Sequence, residues 1–112
     1  MEKLMEQALL YDFYGELLTE HQRKLYQEVV FDDLSLSEAA EEEHISRQGV
    51  HDLIRRCDKS LREYEAKLGL VAKFQETKAL AAEMRRITEE CRCTGDVGLL
   101  EELEKLIDQI EE

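Results

Sequence analysis

The sequence predicts an all-α protein, and three observations carry that prediction. Its 112 residues include no proline and only five glycines, so the strongest helix breakers are scarce. Glu, Leu, Ala, Lys, Arg and Gln dominate the chain, and these residues lose least on entering a helix. Apolar residues recur at helical spacing between hydroxyl residues placed to cap helix starts. The length fits one domain spanning 1–112, and 43% hydrophobic residues suffice for a modest core that a partner subunit would help to cover.

From Leu4 to Leu18 the apolar positions cover a wide arc, which predicts a first helix lying between neighbours. Thr19 stands three residues before Gln22, the spacing of a capping box, and starts a second helix over about 20–31. Ser35 and Glu38 repeat that signal for a short third helix, roughly 36–43. Ser46 is placed to cap a fourth helix that meets no breaker before Gly69, the expected left-handed stop. Along it, Val50, Ile54, Cys57, Leu61, Tyr64, Leu68 and then Val71 alternate four- and three-residue steps, which is a heptad seam. A fifth helix is expected over about 71–91. Gly95 should stop the chain, and Asp96 should cap a last helix over about 97–110, with Leu99, Leu103, Leu106 and Ile110 on one face. The whole reads as one helical array, with a core at about 19–68 and a C-terminal dimerisation or partner region at about 70–112.

The third and fourth helices carry the functional signal. A helix-turn-helix needs a small residue where the helices cross, a sharp turn and apolar anchors beneath. Ala40 is the small residue, His44 the turn residue, since histidine tolerates left-handed backbone, and Ile45, Val50 and Leu53 are spaced to pack inward. Arg47, Gln48, His51, Asp52 and Arg55 are left facing outward. Arginine suits the guanine edge and glutamine the adenine edge, so Arg47, Gln48 and His51 are candidate base readers, with Ser46, Arg55, Lys59 and Arg62 as further DNA contacts, on phosphates for Ser46, Lys59 and Arg62.

The chain as a whole carries a formal charge of -12. Residues 44–62 balance to +3, leaving -15 elsewhere, so charge is segregated rather than uniform. Such a remainder repels a phosphate backbone and favours basic protein surfaces. An amphipathic helix laced with Arg and Asp is also what a plain helical bundle shows. Two features count against a reading helix: Gly49 within it costs on the order of 1 kcal/mol relative to Ala, and Glu43 stands where the supporting helix usually ends on an apolar residue.

LLTEHQRKLY, DLSLSEAAEEEHISRQGVHDLIRR and LREYEAKLGL, from Leu17 to Leu70, closely resemble the YlxM-like family of small bacterial helix-turn-helix proteins. Ser46, Arg47 and Gln48 match that family's SRQ, and Val50, Asp52 and Arg56 fall in its pattern. Ala39, Gly49 and His51 depart from it, where Ile, Ala and an aromatic are usual. The resemblance implies a helix-turn-helix similar to that of region 4 of sigma factors. It also implies a regulatory role in the signal recognition particle pathway, beside whose components the family is encoded. DNA, components of that particle and a second copy of the chain are the expected partners.

Other features read as structural. Cys91 and Cys93 have no further Cys or His near in sequence to complete a zinc site, and Cys57 reads as a buried apolar group. No metal, cofactor or catalytic residue is expected: the acidic runs Glu41–Glu43 and Glu101, Glu102, Glu104, Glu111 and Glu112 lack a nucleophile, a phosphate loop or a histidine pair beside them. Tyr11, Phe13, Tyr14, Tyr26 and Phe31 read as a core shared by the first two helices rather than a stacking platform. The N-terminal MEKLMEQ lacks the features of a signal peptide, and no apolar run is long enough to cross a bilayer. Three cysteines, an odd number, argue against a disulfide framework, so reduced thiols and a cytoplasmic location are expected.

Overall fold

A computed structural model describes residues 2–111, so Glu112 of the acidic tail lies outside the described residues. Six α-helices and no strand occur among them: α1 (Glu2–Tyr14), α2 (Glu20–Tyr26), α3 (Leu36–Glu43), α4 (Arg47–Leu68), α5 (Leu70–Thr94) and α6 (Leu99–Glu111). The chain divides into two compact units, Met1–Val71 and Ala72–Glu112.

The capping signals act as read. Thr19 Oγ1 accepts from the Gln22 amide at 3.1 Å while the Gln22 side chain accepts from the Thr19 amide at 3.0 Å. Ser35 and Glu38 form the second box, so both helices begin with orphan amide donors satisfied. Two endings differ from expectation. The first helix gives way after Tyr14 to a 3-10 turn, Gly15–Leu17. There a Cβ on Gly15 would stand 3.2 Å from the Tyr11 ring, so the glycine lets that ring settle on the backbone. The second helix widens into a π-helical turn over Gln27–Phe31. This wider turn lets Val29 face one core cluster while Val30 and Phe31 face the other, a division that nonlocal packing imposes and no local residue marks.

The first cluster joins Leu10, Tyr14 and Leu18 to Tyr26, Cys57, Leu61 and Val71. Tyr11 stacks on Tyr26 with ring centroids 5.4 Å apart, and Phe31 closes on both; Phe13 sits at the rim. The aromatic residues therefore form a shared core, as expected. The second cluster joins Leu25, Ala39, Ala40 and Val50. The seam of α4 is thus consumed within the unit: Val50, Cys57 and Leu61 are buried, whereas Leu68 is 55% exposed.

Two buried polar ties set the register of α4. Asp58 accepts from the Tyr26 hydroxyl and from Gln7 Nε2 at 3.1 Å, linking α1, α2 and α4. Burial, then the bond to Asp58, holds the Tyr26 phenol far above its ordinary value. At the far end Tyr14 donates to Glu65, the Tyr14 oxygen accepts from the Leu70 amide at 3.0 Å, and Glu65 accepts from the Val71 amide at 2.9 Å. The start of α5 is therefore capped by side chains from α1 and α4. Burial raises the Tyr14 phenol as well, with Glu65 adding to it.

In the second unit Gly95, at φ 73°, ends α5 and Asp96 Oδ1 accepts from the Gly98 amide at 2.9 Å. The last helix starts at Leu99, after the turn this bond closes, rather than at Val97. Ile87 is buried on α5, and Leu99, Leu103 and Leu106 are half-buried on α6, while Ile110 is exposed. Arg86 spans Glu83 and Glu90 on the solvated face.

Burial pushes the Cys57 thiol up to about 11. Because the folded value lies above the unfolded one, near 8.5, this contribution to stability is complete at neutral pH and is lost as the pH rises through about 11. Cys93 is exposed and Cys91 half-buried. Maleimide labelling of the native protein at neutral pH should therefore modify Cys93 first and reach Cys57 only on unfolding. Peptide mass mapping reads the order, and early labelling of Cys57 would contradict its burial.

Candidate nucleic-acid interface

The short helix and the long one meet through a tight left-handed turn. His44 takes φ 57° and ψ 38°; the His44 amide donates to Glu41 and the Ile45 amide to Ala40 at 3.1 Å. This is a Schellman ending, which satisfies carbonyls the helix would otherwise leave open. Ala39 and Ala40 are buried at the crossing, where α3 packs on α4. The small side chains let the two helices approach closely.

Ser46 then caps α4, its Oγ accepting from the Gly49 amide at 2.9 Å. Gly49 is consequently the third residue of the helix, and its amide is the one capped. A Cβ at Gly49 would stand 3.2 Å from Ser46 Oγ and 3.6 Å from Ile45 Cδ1. Ile45 lies over that first turn and is 41% exposed, so the inward packing expected of it fails, while Val50 and Leu53 behave as anchors.

Glu43 resolves differently from the apolar residue usual at its position. His21 Nε2 lies 3.1 Å from one carboxylate oxygen and Lys24 Nζ 3.4 Å from the other. The bond to His21, with Lys24 assisting, holds the Glu43 carboxyl below its ordinary value. A hydrogen bond with His21 and an ion pair with Lys24 thus tie α2 to α3 in place of an apolar contact.

The predicted contact residues Ser46, Arg47, Gln48, His51, Arg55, Lys59 and Arg62 are all exposed. They fall into two groups. Ser46, Arg47, Gln48 and His51 surround the start of α4, where Gln48 Nε2 donates to Asp52 at 2.9 Å and would have to release it to reach a base. Ser46 keeps a hydroxyl proton to donate while its oxygen caps. Arg55, Lys59 and Arg62 line an open groove of about 720 Å³ further along the helix. Lys3 and Arg56 share that lining. Lys3 lies on α1, far from α4 in sequence, so nothing local could have indicated it. Arg56 fell in the family's pattern but was not among the predicted contact residues.

No cluster of three or more His, Cys, Asp or Glu able to hold a metal ion occurs among the described residues. No helix among them is long and apolar enough to cross a membrane.

A short capped helix braced against a longer one across a left-handed turn, with cations on the outward face of the second, defines a helix-turn-helix protein. The family described as "Putative helix-turn-helix protein, YlxM / p13 like" matches residues 1–94, and the chain belongs to that family. It is similar to a UPF0122 protein of Shouchella clausii, 42% identical over 107 residues that cover 95% of this chain and 98% of that protein. UPF0122 proteins of Bacillus cereus and Bacillus anthracis are each 40% identical over 111 residues, covering 99% of this chain and 96% of theirs.

Proposed function

We propose that this protein is a cytoplasmic, non-catalytic helix-turn-helix regulatory factor of the signal recognition particle pathway, and that it acts by binding DNA through the start of α4. The observation that carries this reading is the exposure of Arg47, Gln48 and His51 at one capped helix end, with Arg55 about two turns beyond Arg47, within a segment of charge +3 in a chain of -12. Guanidinium and amide groups there match base edges. The pathway comes from the resemblance of residues 17–70 to the YlxM-like family. The chain is taken as one domain whose C-terminal region serves self-association; the exposed Leu100, Ile107 and Ile110 of α6 support a homodimer.

A second reading has its own support. The -15 carried outside residues 44–62 favours an acidic adaptor that docks a basic protein or ribonucleoprotein surface without reading DNA.

Affinity selection from cell lysate on the immobilised chain tests both, with bound nucleic acid sequenced and bound proteins identified beside an Arg47→Ala, Gln48→Ala variant. The expected result is enriched DNA that the variant loses, roughly tenfold to a hundredfold per lost bidentate base contact. Particle components retained equally by both proteins, with no DNA, would overturn the DNA reading in favour of the adaptor.

A further inference from the structure

The groove along α4 lies beyond the helix end that reads bases. It is lined by Lys3, Arg55, Arg56, Lys59 and Arg62, with Asp52, Asp58 and Glu63 between them. Cations outnumber carboxylates five to three in this lining. Asp52 bonds to Gln48 and Asp58 to Tyr26 and Gln7, neutral donors that leave their charge in place, and Glu63 lies 4.0 Å from Lys59. Arg62 is 3.7 Å from Glu6. Lys3, Arg55 and Arg56 have no ion pair within 4.0 Å among the described residues. The groove therefore presents three uncommitted cations, plus two held only in exposed pairs that are worth about 0–1 kcal/mol and exchange readily.

We propose that this groove seats the phosphodiester backbone of a nucleic acid, gripped by Lys3, Arg55 and Arg56. The assignment rests on the nucleic-acid reading above and extends it to the first helix. Arg55 stands eight residues beyond Arg47 on the same helix, about 12 Å along its axis at 1.5 Å per residue. A strand whose bases meet the start of α4 can thus continue into the groove. Planar guanidinium groups bind phosphate oxygens in bidentate fashion, and a groove open along its length admits a continuous chain. The acidity of the remaining surface does not forbid this, because at 0.15 M salt charges are screened beyond about 8 Å.

The test is an anisotropy titration of the full chain over a range of salt concentrations, with random-sequence duplex DNA, single-stranded DNA and single-stranded RNA as probes. The native protein is compared with Lys3→Ala, Arg55→Ala, Arg56→Ala combined, and with Arg47→Ala, Gln48→Ala. All three substituted groove positions are exposed, and circular dichroism verifies that the fold is kept.

The groove variant is expected to lose affinity roughly tenfold or more on every sequence, and its salt slope should fall by about 2.7 on duplex or about 2.1 on single strands, since each phosphate contact contributes about 0.9 or 0.7. The probe bound best identifies the source of the backbone. A groove variant with an unchanged slope, beside a weakened Arg47, Gln48 variant, overturns the groove and leaves the reading helix standing. Weakening of the groove variant alone supports the groove, because random sequence reports backbone contacts rather than base reading. Failure of the native chain to bind any probe overturns both.

Discussion

Leu61→Ala is expected to destabilise the first unit by about 2–5 kcal/mol, whereas Leu68→Ala, seven residues along the same seam, should fall within about 0.5 kcal/mol of the native protein. Leu61 is fully buried between α1 and α2 residues of the first cluster, and Leu68 is 55% exposed. Removing three buried carbons forfeits their transfer from water and leaves a cavity that close packing cannot easily collapse. For a domain of this size each kcal/mol corresponds to about 4–8 °C in Tm, so thermal melts separate the two variants clearly. Equal losses at both positions, growing with dilution, would instead mean that the seam is an interface between chains.

Asp58→Ala is the second large effect, expected near 3 kcal/mol, because bonds to a charged acceptor contribute about 1.5–3 kcal/mol each and the loss strands a buried donor. The donors are the Tyr26 hydroxyl, whose residue is fully buried, and Gln7 Nε2. Asp58→Asn retains an oxygen for Tyr26 and should restore most of the lost stability. Glu63→Ala, on the exposed face of the same helix, serves as the comparison and should be nearly neutral. Chemical denaturation measures all three, and an Asp58→Ala cost no larger than that of Glu63→Ala would show that the tie does not hold α4. The consequence reaches function: this tie fixes α4 against α1 and α2, and so the direction in which Arg47, Gln48 and Arg55 project.

Features written in a few neighbouring residues were legible in the sequence. The boxes at Thr19 and Ser35, the cap at Ser46, the left-handed His44 and Gly69, and the stop at Gly95 all depend on contacts within one turn, and they occur where the residue types place them. The outward set on α4 follows from helical periodicity once Val50 and Leu53 are taken as anchors. What escaped depends on parts of the chain far apart in sequence. The π-turn after Tyr26 answers to two core clusters at once, and no proline or glycine announces it. The bracket of His21 and Lys24 on Glu43 needs α2 beside α3. The tie between Gln7, Tyr26 and Asp58 joins residues 51 and 32 apart, and the groove requires Lys3 of α1 to stand near α4. Ile45 failed as an anchor for a local reason: it precedes the Ser46 cap and lies beside Gly49 on the first turn of α4, where it stays 41% exposed.

Amide chemical shifts of the isotopically labelled chain, followed as nucleic acid recovered in the affinity selection is added, test the assignment of α4 most directly. If the chain reads nucleic acid through its helix-turn-helix, the largest changes fall on Arg47, Gln48, His51 and Arg55, with smaller ones along the groove to Arg62. Changes confined to α5 and α6, or none along α4, would contradict it and leave the helix-turn-helix as a scaffold for other contacts.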